Sequence, residues 1–259
     1  MLSFDDIKSR YPENIHGHDI DILKEYLQCK ILEIIFDSKI GKKLSFIGDT
    51  SLRILYNTQR FSEDLDFDCF DLQKNEFEEV SQILKNKLAL EGCNIEVKTL
   101  LGKQVLHYYI KILNLLFQYK LSSHTNEKIL IKVDVQAQGF NYSQEKKLLD
   151  KFDVLTYINT TPVDILLSMK LNTIFSRKRS QGRDFYDIVF LCTRTKPNYD
   201  FLKQKLNISN AQELRKEILI KCKELNFEKL TKDVEALLIN SIDLKKVLLF
   251  HDFIKQAEF

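Results

Sequence analysis

Two rhythms of apolar residues run along this chain. Between Asp19 and Ile40 the apolar positions Ile22, Leu23, Tyr26, Leu27, Ile31, Ile34 and Ile35 recur at helical steps, which predicts a long amphipathic helix. LSFIG (44–48) is a short apolar run and predicts a buried strand. TSLRILYNT (50–58) returns to helical spacing, with Asp49 or Thr50 available as N-cap. DLDFDCF (64–70) alternates, which predicts a strand with one polar face. NEFEEVSQILKNKLALEG (75–92) predicts a helix, acidic at its start and closed by Gly92. NIEVKTL and QVLHYYIKILN predict paired strands around Gly102. KILIKVDVQA (128–137) predicts another strand, with Lys132, Asp134 and Gln136 on one face and Val133 and Val135 on the other.

After about residue 160 only the helical rhythm remains. TPVDILLSMKLNTIFSRK (161–178) and QGRDFYDIVFLCTRT (181–195) predict two helices with a short break at Gly182. The rest, punctuated by Pro197, reads as helical. The expected organisation is an α/β domain over 1–155 and a helical domain over 156–259.

Composition narrows the class. The 259 residues are 44% hydrophobic and 29% charged, enough to bury a sizeable core. Seven glycines and three prolines argue for many helices rather than a loop-rich chain. A formal net charge of +2 gives no global reason to expect nucleic acid, so any basic surface must be local. The five cysteines form no CxxC pair, which speaks against zinc. They read as reduced core thiols of a cytoplasmic protein. The N-terminal stretch lacks an apolar core and is not expected to be a signal peptide. No apolar run approaches the roughly 20 residues a membrane span needs.

The alternating stretch at 64–70 carries the candidate chemistry. Asp64, Asp66 and Asp68 project the same way from a strand. Clustered carboxylates repel one another, and a divalent cation such as Mg²⁺ relieves that repulsion and brings substrate phosphates with it. Asp64 and Asp66 are therefore a candidate metal seat, with Asp134 as third ligand if its strand is a neighbour. Three such acids would serve an in-line phosphoryl or nucleotidyl displacement. The turn IGDTSL places Gly48, Thr50 and Ser51 at a helix N-terminus, where backbone N–H groups donate to phosphate oxygens. From Ser168 to Arg183 the chain carries Lys170, Arg177, Lys178, Arg179 and Arg183 and no acid, a patch suited to a triphosphate or an RNA backbone.

Each feature also has a plainer reading. Exposed acids on a strand's solvent face are common, every helix has an N-terminus, and a basic run can be a solvated face. Asp184 and Asp187 can pair structurally with Arg177, Arg179 or Arg183. The five histidines, His107 among them, show no ligand spacing, and the tyrosines read as core or rim. A D-x-D metal seat also suits a nucleotide-sugar glycosyltransferase, but such enzymes continue with α/β structure rather than helices.

FIGDTSLRILYNTQRFSEDLDFD (46–68) resembles the first motif of the AbiEii/AbiGii-type nucleotidyltransferase toxins, a strand, GGT-aliphatic-R, then RFSEDLDF. KVDVQA and DILLSMKLNTIFSRKRSQGRDFYDIVFL follow in family order, and the likeness spans about 44–192. The resemblance implies an α+β class, with a polymerase-β-like mixed sheet, flanking helices and a C-terminal helical domain. It implies Mg²⁺, a nucleoside triphosphate, and a toxin of a toxin–antitoxin or abortive-infection pair. Some relatives add nucleotides to tRNA ends. Carried over, Asp64 and Asp66 bind metal, Asp134 is the third carboxylate, and Lys170 contacts the triphosphate with Arg177 or Arg183. Asp184 or Asp187 is the last acid, which orients the lysine or an arginine. The expected partners are a nucleoside triphosphate, an RNA acceptor and a cognate antitoxin, with the toxin itself a monomer. One departure stands out: the family's second small residue is Asp49 here. A carboxylate repels phosphate, so either Asp49 turns away and caps the helix, or the protein is a weakened, nucleotide-binding regulator.

Overall fold

A computed structural model describes residues 1–259. The chain divides into two compact units, Met1–Asn57 with Phe61–Thr160, and Thr58–Arg60 with Thr161–Phe259. No helix is long and apolar enough to cross a membrane. All five cysteines are free, with Cys29, Cys93 and Cys222 buried.

The first unit contains, in chain order, helices α1 (Phe4–Lys8) and α2 (Asp19–Phe36), strand β1 (Leu44–Ile47), α3 (Gly48–Tyr56), β2 (Leu65–Cys69) and α4 (Lys74–Leu90). There follow β3 (Asn94–Leu101), β4 (Leu106–Leu113), α5 (Leu115–Gln118), β5 (Lys128–Val135), β6 (Glu145–Lys151) and β7 (Val154–Thr160). The seven strands form one mixed sheet in the order β3-β4-β5-β2-β1-β7-β6. β2 runs parallel to β5 and β1 parallel to β7; the other pairs are antiparallel. The acid-bearing strand β2 is therefore the central strand, flanked by β5 and β1.

The strand rhythm at 64–70 is legible because Leu65 and Phe67 are fully buried while Asp64 and Asp66 are only partly so. Phe67 packs against Phe46 and Phe36 with ring centroids 5.4 and 5.9 Å apart. The predicted amphipathic α2 is buried on more faces than its spacing suggests. Its polar residues Glu25, Gln28 and Lys30 are buried too, because each finds partners. Lys30 Nζ lies 2.7 Å from Glu91, and Gln28 Nε2 donates to the carbonyls of Ser62 and Glu63 at 3.0 and 2.9 Å.

The β6–β7 hairpin is a correction to the sequence pattern, which assigned nothing there. β6, EKKLLDK, is an edge strand whose charges mask the alternation. The boundary expected after residue 155 falls inside β7, and the unit closes instead at Thr160.

The second unit is helical: α6 (Val163–Ser176), α7 (Gly182–Cys192), α8 (Tyr199–Leu206), α9 (Ala211–Cys222), α10 (Phe227–Glu235), α11 (Leu244–Leu248) and α12 (Phe250–Gln256). The predicted break at Gly182 lies a little earlier, over Arg177–Gln181, and Gly182 is the first residue of α7. A Cβ on Gly182 would collide with the Leu230 carbonyl, 2.9 Å from its carbon, so glycine lets α7 and α10 approach closely. Residues 58–60 join this unit through backbone: Arg60 bridges Leu238, and Ile239 N donates to the Gln59 carbonyl at 3.1 Å.

Candidate active site

In the first unit the candidate site is built on β2 and its neighbours. Asp66 stands opposite Asp134 of β5 in parallel register and opposite Ile47 of β1. The strand carrying Asp134 is thus the immediate neighbour that the D-x-D reading required. Gly48 has φ +76°, the left-handed region that favours glycine. A Cβ there would lie 2.9 Å from Asp66 Cβ and closer still to its Oδ2. Only a bare Cα lets the β1–α3 turn sit against the Asp66 carboxylate.

Asp64 is positioned through its backbone. Thr50 Oγ1 is bonded to the Asp64 carbonyl oxygen, with Ser62 Oγ 2.7 Å away. Together with the two Gln28 bonds, this fixes the loop that delivers Asp64 to the start of β2.

The Asp134 carboxylate is held on both oxygens. His107 Nδ1, from β4, is 2.6 Å from Oδ1, and Lys132 Nζ is 2.6 Å from Oδ2. Burial works against the Lys132 charge, but the Asp134 bond outweighs it and raises the ammonium above its ordinary value. As the side chains stand, no three His, Cys, Asp or Glu converge as a ready metal cage. Lys132 supplies the positive charge at Asp134 instead. The donor chemistry nevertheless fits a hard cation: carboxylate oxygens on adjacent strands, beside a turn stripped of side chain.

Several expected roles change. Asp68, which the alternation groups with Asp64 and Asp66, is only 1% exposed. Its Oδ1 accepts from Cys69 N and Gln138 N, both at 2.8 Å, and its Oδ2 from Tyr142 Oη at 2.8 Å. It ties the loop after β5 to β2. The side chains of Thr50 and Ser51 do not wait for a phosphate. Both are fully buried, and Ser51 Oγ donates to the Gly48 carbonyl at 2.8 Å. Nor is Asp49 the helix cap: the N-cap of α3 is Ile47, with no side-chain cap bond, and Asp49 lies in the first turn. There its charge is favourable to the helix dipole.

Beneath α3 lies a buried ion cluster that the spacing did not reveal. Arg53 Nε donates to Glu25 Oε2 at 2.7 Å, Lys151 pairs with Glu25 Oε1, and the Arg53 guanidinium lies 4.9 Å from the Phe61 ring centre. Burial alone would raise the Glu25 carboxyl, but Lys151 and Arg53 prevail and hold it below its ordinary value.

The second unit holds its own charge cluster. Lys170 Nζ lies 2.7 Å from Asp187 Oδ2 and 3.4 Å from Asp184 Oδ1. Arg177 donates to Asp184 Oδ2 at 2.8 Å. Arg60 grips Asp187 with both ends of its fork, Nε to Oδ1 at 2.7 Å and an Nη to Oδ2 at 2.6 Å. Asp184 and Asp187 are 2% and 0% exposed, with their oxygens engaged by these cations. Lys170 is also largely buried, whereas Arg177 and Arg183 are half-buried.

Sequence reasoning missed Arg60, His107 and the Glu25–Arg53–Lys151 group. Arg60 opens the RFSEDLDF motif, so motif position was its signal. For His107 there was none, since cross-strand register is invisible before the sheet is known. Lys132 was visible as sharing the face of Asp134.

A family model described as the nucleotidyl transferase AbiEii toxin of a type IV toxin–antitoxin system matches residues 30–246. Among solved structures, the chain is similar to the MenT4 nucleotidyltransferase toxin of Mycobacterium tuberculosis H37Rv, with TM-score 0.58 and 16% identity over 100% of this chain and 91% of that one. It is also similar to JHP933 from Helicobacter pylori (0.54, 20%, over 91% and 94%). A putative nucleotidyltransferase of the same organism matches with 0.54 and 18% over 96% and 100%. At these identities the structures establish the fold. Among curated proteins, none matches the chain.

Proposed function

The chain belongs to the AbiEii nucleotidyl transferase toxin family of toxin–antitoxin systems, and from that premise we propose a Mg²⁺-dependent transfer of a nucleotide from a nucleoside triphosphate to an RNA acceptor, with tRNA favoured. The observation that carries the reading is the register of Asp66 against Asp134 beside the bare Cα of Gly48.

In this reading Asp64 and Asp66 hold the cation, and Asp134 completes the set when its carboxylate is released from Lys132 or shared with it. The bound cation supplies charge neutralisation at the phosphoryl oxygens. The acceptor hydroxyl oxygen bonds to the α-phosphorus, the bond to the bridging β-phosphate oxygen breaks, and pyrophosphate leaves with that electron pair. Asp134 accepts the hydroxyl proton, with His107 beside its Oδ1 as the next acceptor. The Gly48 turn gives the phosphates close access to backbone. Lys170, Arg177 and Arg183 contribute positive charge toward the triphosphate, with Asp184 and Asp187 setting the orientation of Lys170. Nucleotides and RNA place the action in the cytoplasm, and a cognate antitoxin is the expected protein partner of a monomeric toxin.

A second reading is a nucleotide-binding regulator that transfers nothing. It draws on Asp49, whose charge opposes phosphate, and on the internal use of the Thr50 and Ser51 hydroxyls. Expression in bacteria separates the two. Wild-type protein should arrest growth, and Asp64→Ala should not while accumulating as folded protein. Equal arrest by both would sink the transferase reading.

A further inference from the structure

The second unit carries a cationic cavity of about 590 Å³. Three separate segments contribute to it. The α6–α7 loop supplies Lys178 and Arg179, the end of α9 supplies Lys221, and α10 supplies Lys229 and Lys232. Four of these, Lys178, Arg179, Lys229 and Lys232, are exposed. Two carboxylates also line the cavity, and both are engaged. Asp233 Oδ2 accepts from the Gly182 backbone N–H at 3.0 Å, and Glu224 pairs with Lys221 at 3.3 Å. Five cations against two carboxylates leave the lining with a net positive charge.

Of the charged residues of α10, Lys229, Lys232 and Asp233 line the cavity, while Glu228 and Glu235 do not. The close approach of α7 to α10 at Gly182 holds the loop of Lys178 and Arg179 beside α10, so the concavity is built by packing. Keeping several like charges together opposes folding, and a bound polyanion relieves that cost.

From this arrangement we infer that the cavity is a docking groove for the phosphate backbone of RNA, separate from the groups proposed for the transfer step. Cations arriving from three segments match a run of phosphates better than a single one. No aromatic residue lines the groove, so it offers no base-stacking platform. Contacts of this kind position a nucleic acid without reading its sequence. This groove deepens the RNA-directed reading above and rests on it for its biological meaning, but binding is measurable without transfer.

The test is fluorescence anisotropy of a labelled single-stranded RNA titrated with the full chain, without nucleotide or metal, over a range of salt. The variant is Lys178→Gln/Arg179→Gln/Lys229→Gln/Lys232→Gln, with each pair of substitutions also made alone in case the fourfold variant folds poorly. The expected result is at least a tenfold loss of affinity in the fourfold variant, and a partial loss in each pair. The slope of log affinity against log salt should flatten by roughly 2–3, the change for four lost phosphate contacts on a single strand. Poly(A) and poly(U) should bind alike. Unchanged RNA affinity and salt slope would overturn the groove. So would poly-glutamate competing as well as RNA, since the site would then be a general acidic-polymer surface. RNA bound through these residues by a protein that transfers no nucleotide would sustain the groove and remove the transferase reading. Nucleotide transfer to RNA with full activity and affinity in the fourfold variant would do the reverse.

Discussion

The molecule uses aspartates next to cations in two contrasting ways. In the second unit Asp184 and Asp187 are out of water, and Arg60, Lys170 and Arg177 take up their oxygens. In the first unit Asp64, Asp66 and Asp134 stand partly exposed on or just before the adjacent inner strands β2 and β5. A buried carboxylate left unpaired is costly, so the second cluster must be closed to be stable. A carboxylate meant to bind a cation must keep water and ligand access, so the first cannot be. Asp68 marks the border between the two regimes. It is two residues from Asp66 on the same strand, yet it is buried and saturated with three hydrogen bonds.

The contrast can be broken most forcefully at Asp66. Asp66→Ala should lower nucleotide transfer by about a thousandfold, ~4 kcal/mol in the barrier, while the denaturant midpoint hardly moves. An active Asp66→Ala protein would erase the distinction. Asp187→Ala should do the opposite. It strands Arg60 and Lys170 and should cost about 3–5 kcal/mol of stability, read as a lower midpoint in urea unfolding. Between these lies Asp68→Ala, expected to cost about 1–3 kcal/mol because it orphans buried donors. If Asp68→Ala lost activity and kept its stability, the assignment along β2 would be inverted.

Acid titration sharpens the same point. The folded state holds the Glu25 carboxyl below its ordinary value of 4.5, so its stabilisation is complete above that value. It is lost as pH falls through the depressed folded value. Unfolding midpoints followed downward from pH 6 should fall more steeply for the wild type than for Glu25→Gln. Parallel curves would remove Glu25 from the account. The smallest effect is expected at Asp49. Asp49→Gly should raise transfer about fivefold, ~1 kcal/mol of relieved repulsion, measured as initial rate at low nucleotide.

Much of this was legible in the chain. Alternation around Leu65 and Phe67 predicted β2, and the shared face of Lys132 and Asp134 predicted which side of β5 matters. Helical spacing after residue 160 predicted the character of the second unit. What escaped was whatever depends on partners distant in sequence. The β6–β7 hairpin hides behind edge charges, and its place beside β1 is a property of the sheet. The buried state of Glu25, Arg53 and Arg60 follows from ion pairs spanning 28 to 127 residues, which no local period records. Thr50 and Ser51 illustrate the limit in the other direction. Their position at a helix start pointed to phosphate, but their hydroxyls are spent holding the Asp64 and Gly48 carbonyls.

The most direct test of the central claim is transfer itself. Purified protein, Mg²⁺ and each α-³²P-labelled nucleoside triphosphate would be incubated with total bacterial RNA, beside Asp64→Ala. The account predicts label in tRNA-sized RNA from one or more nucleotides, absent in the mutant. No label in any RNA from the wild type, with nucleotide binding intact, would contradict it.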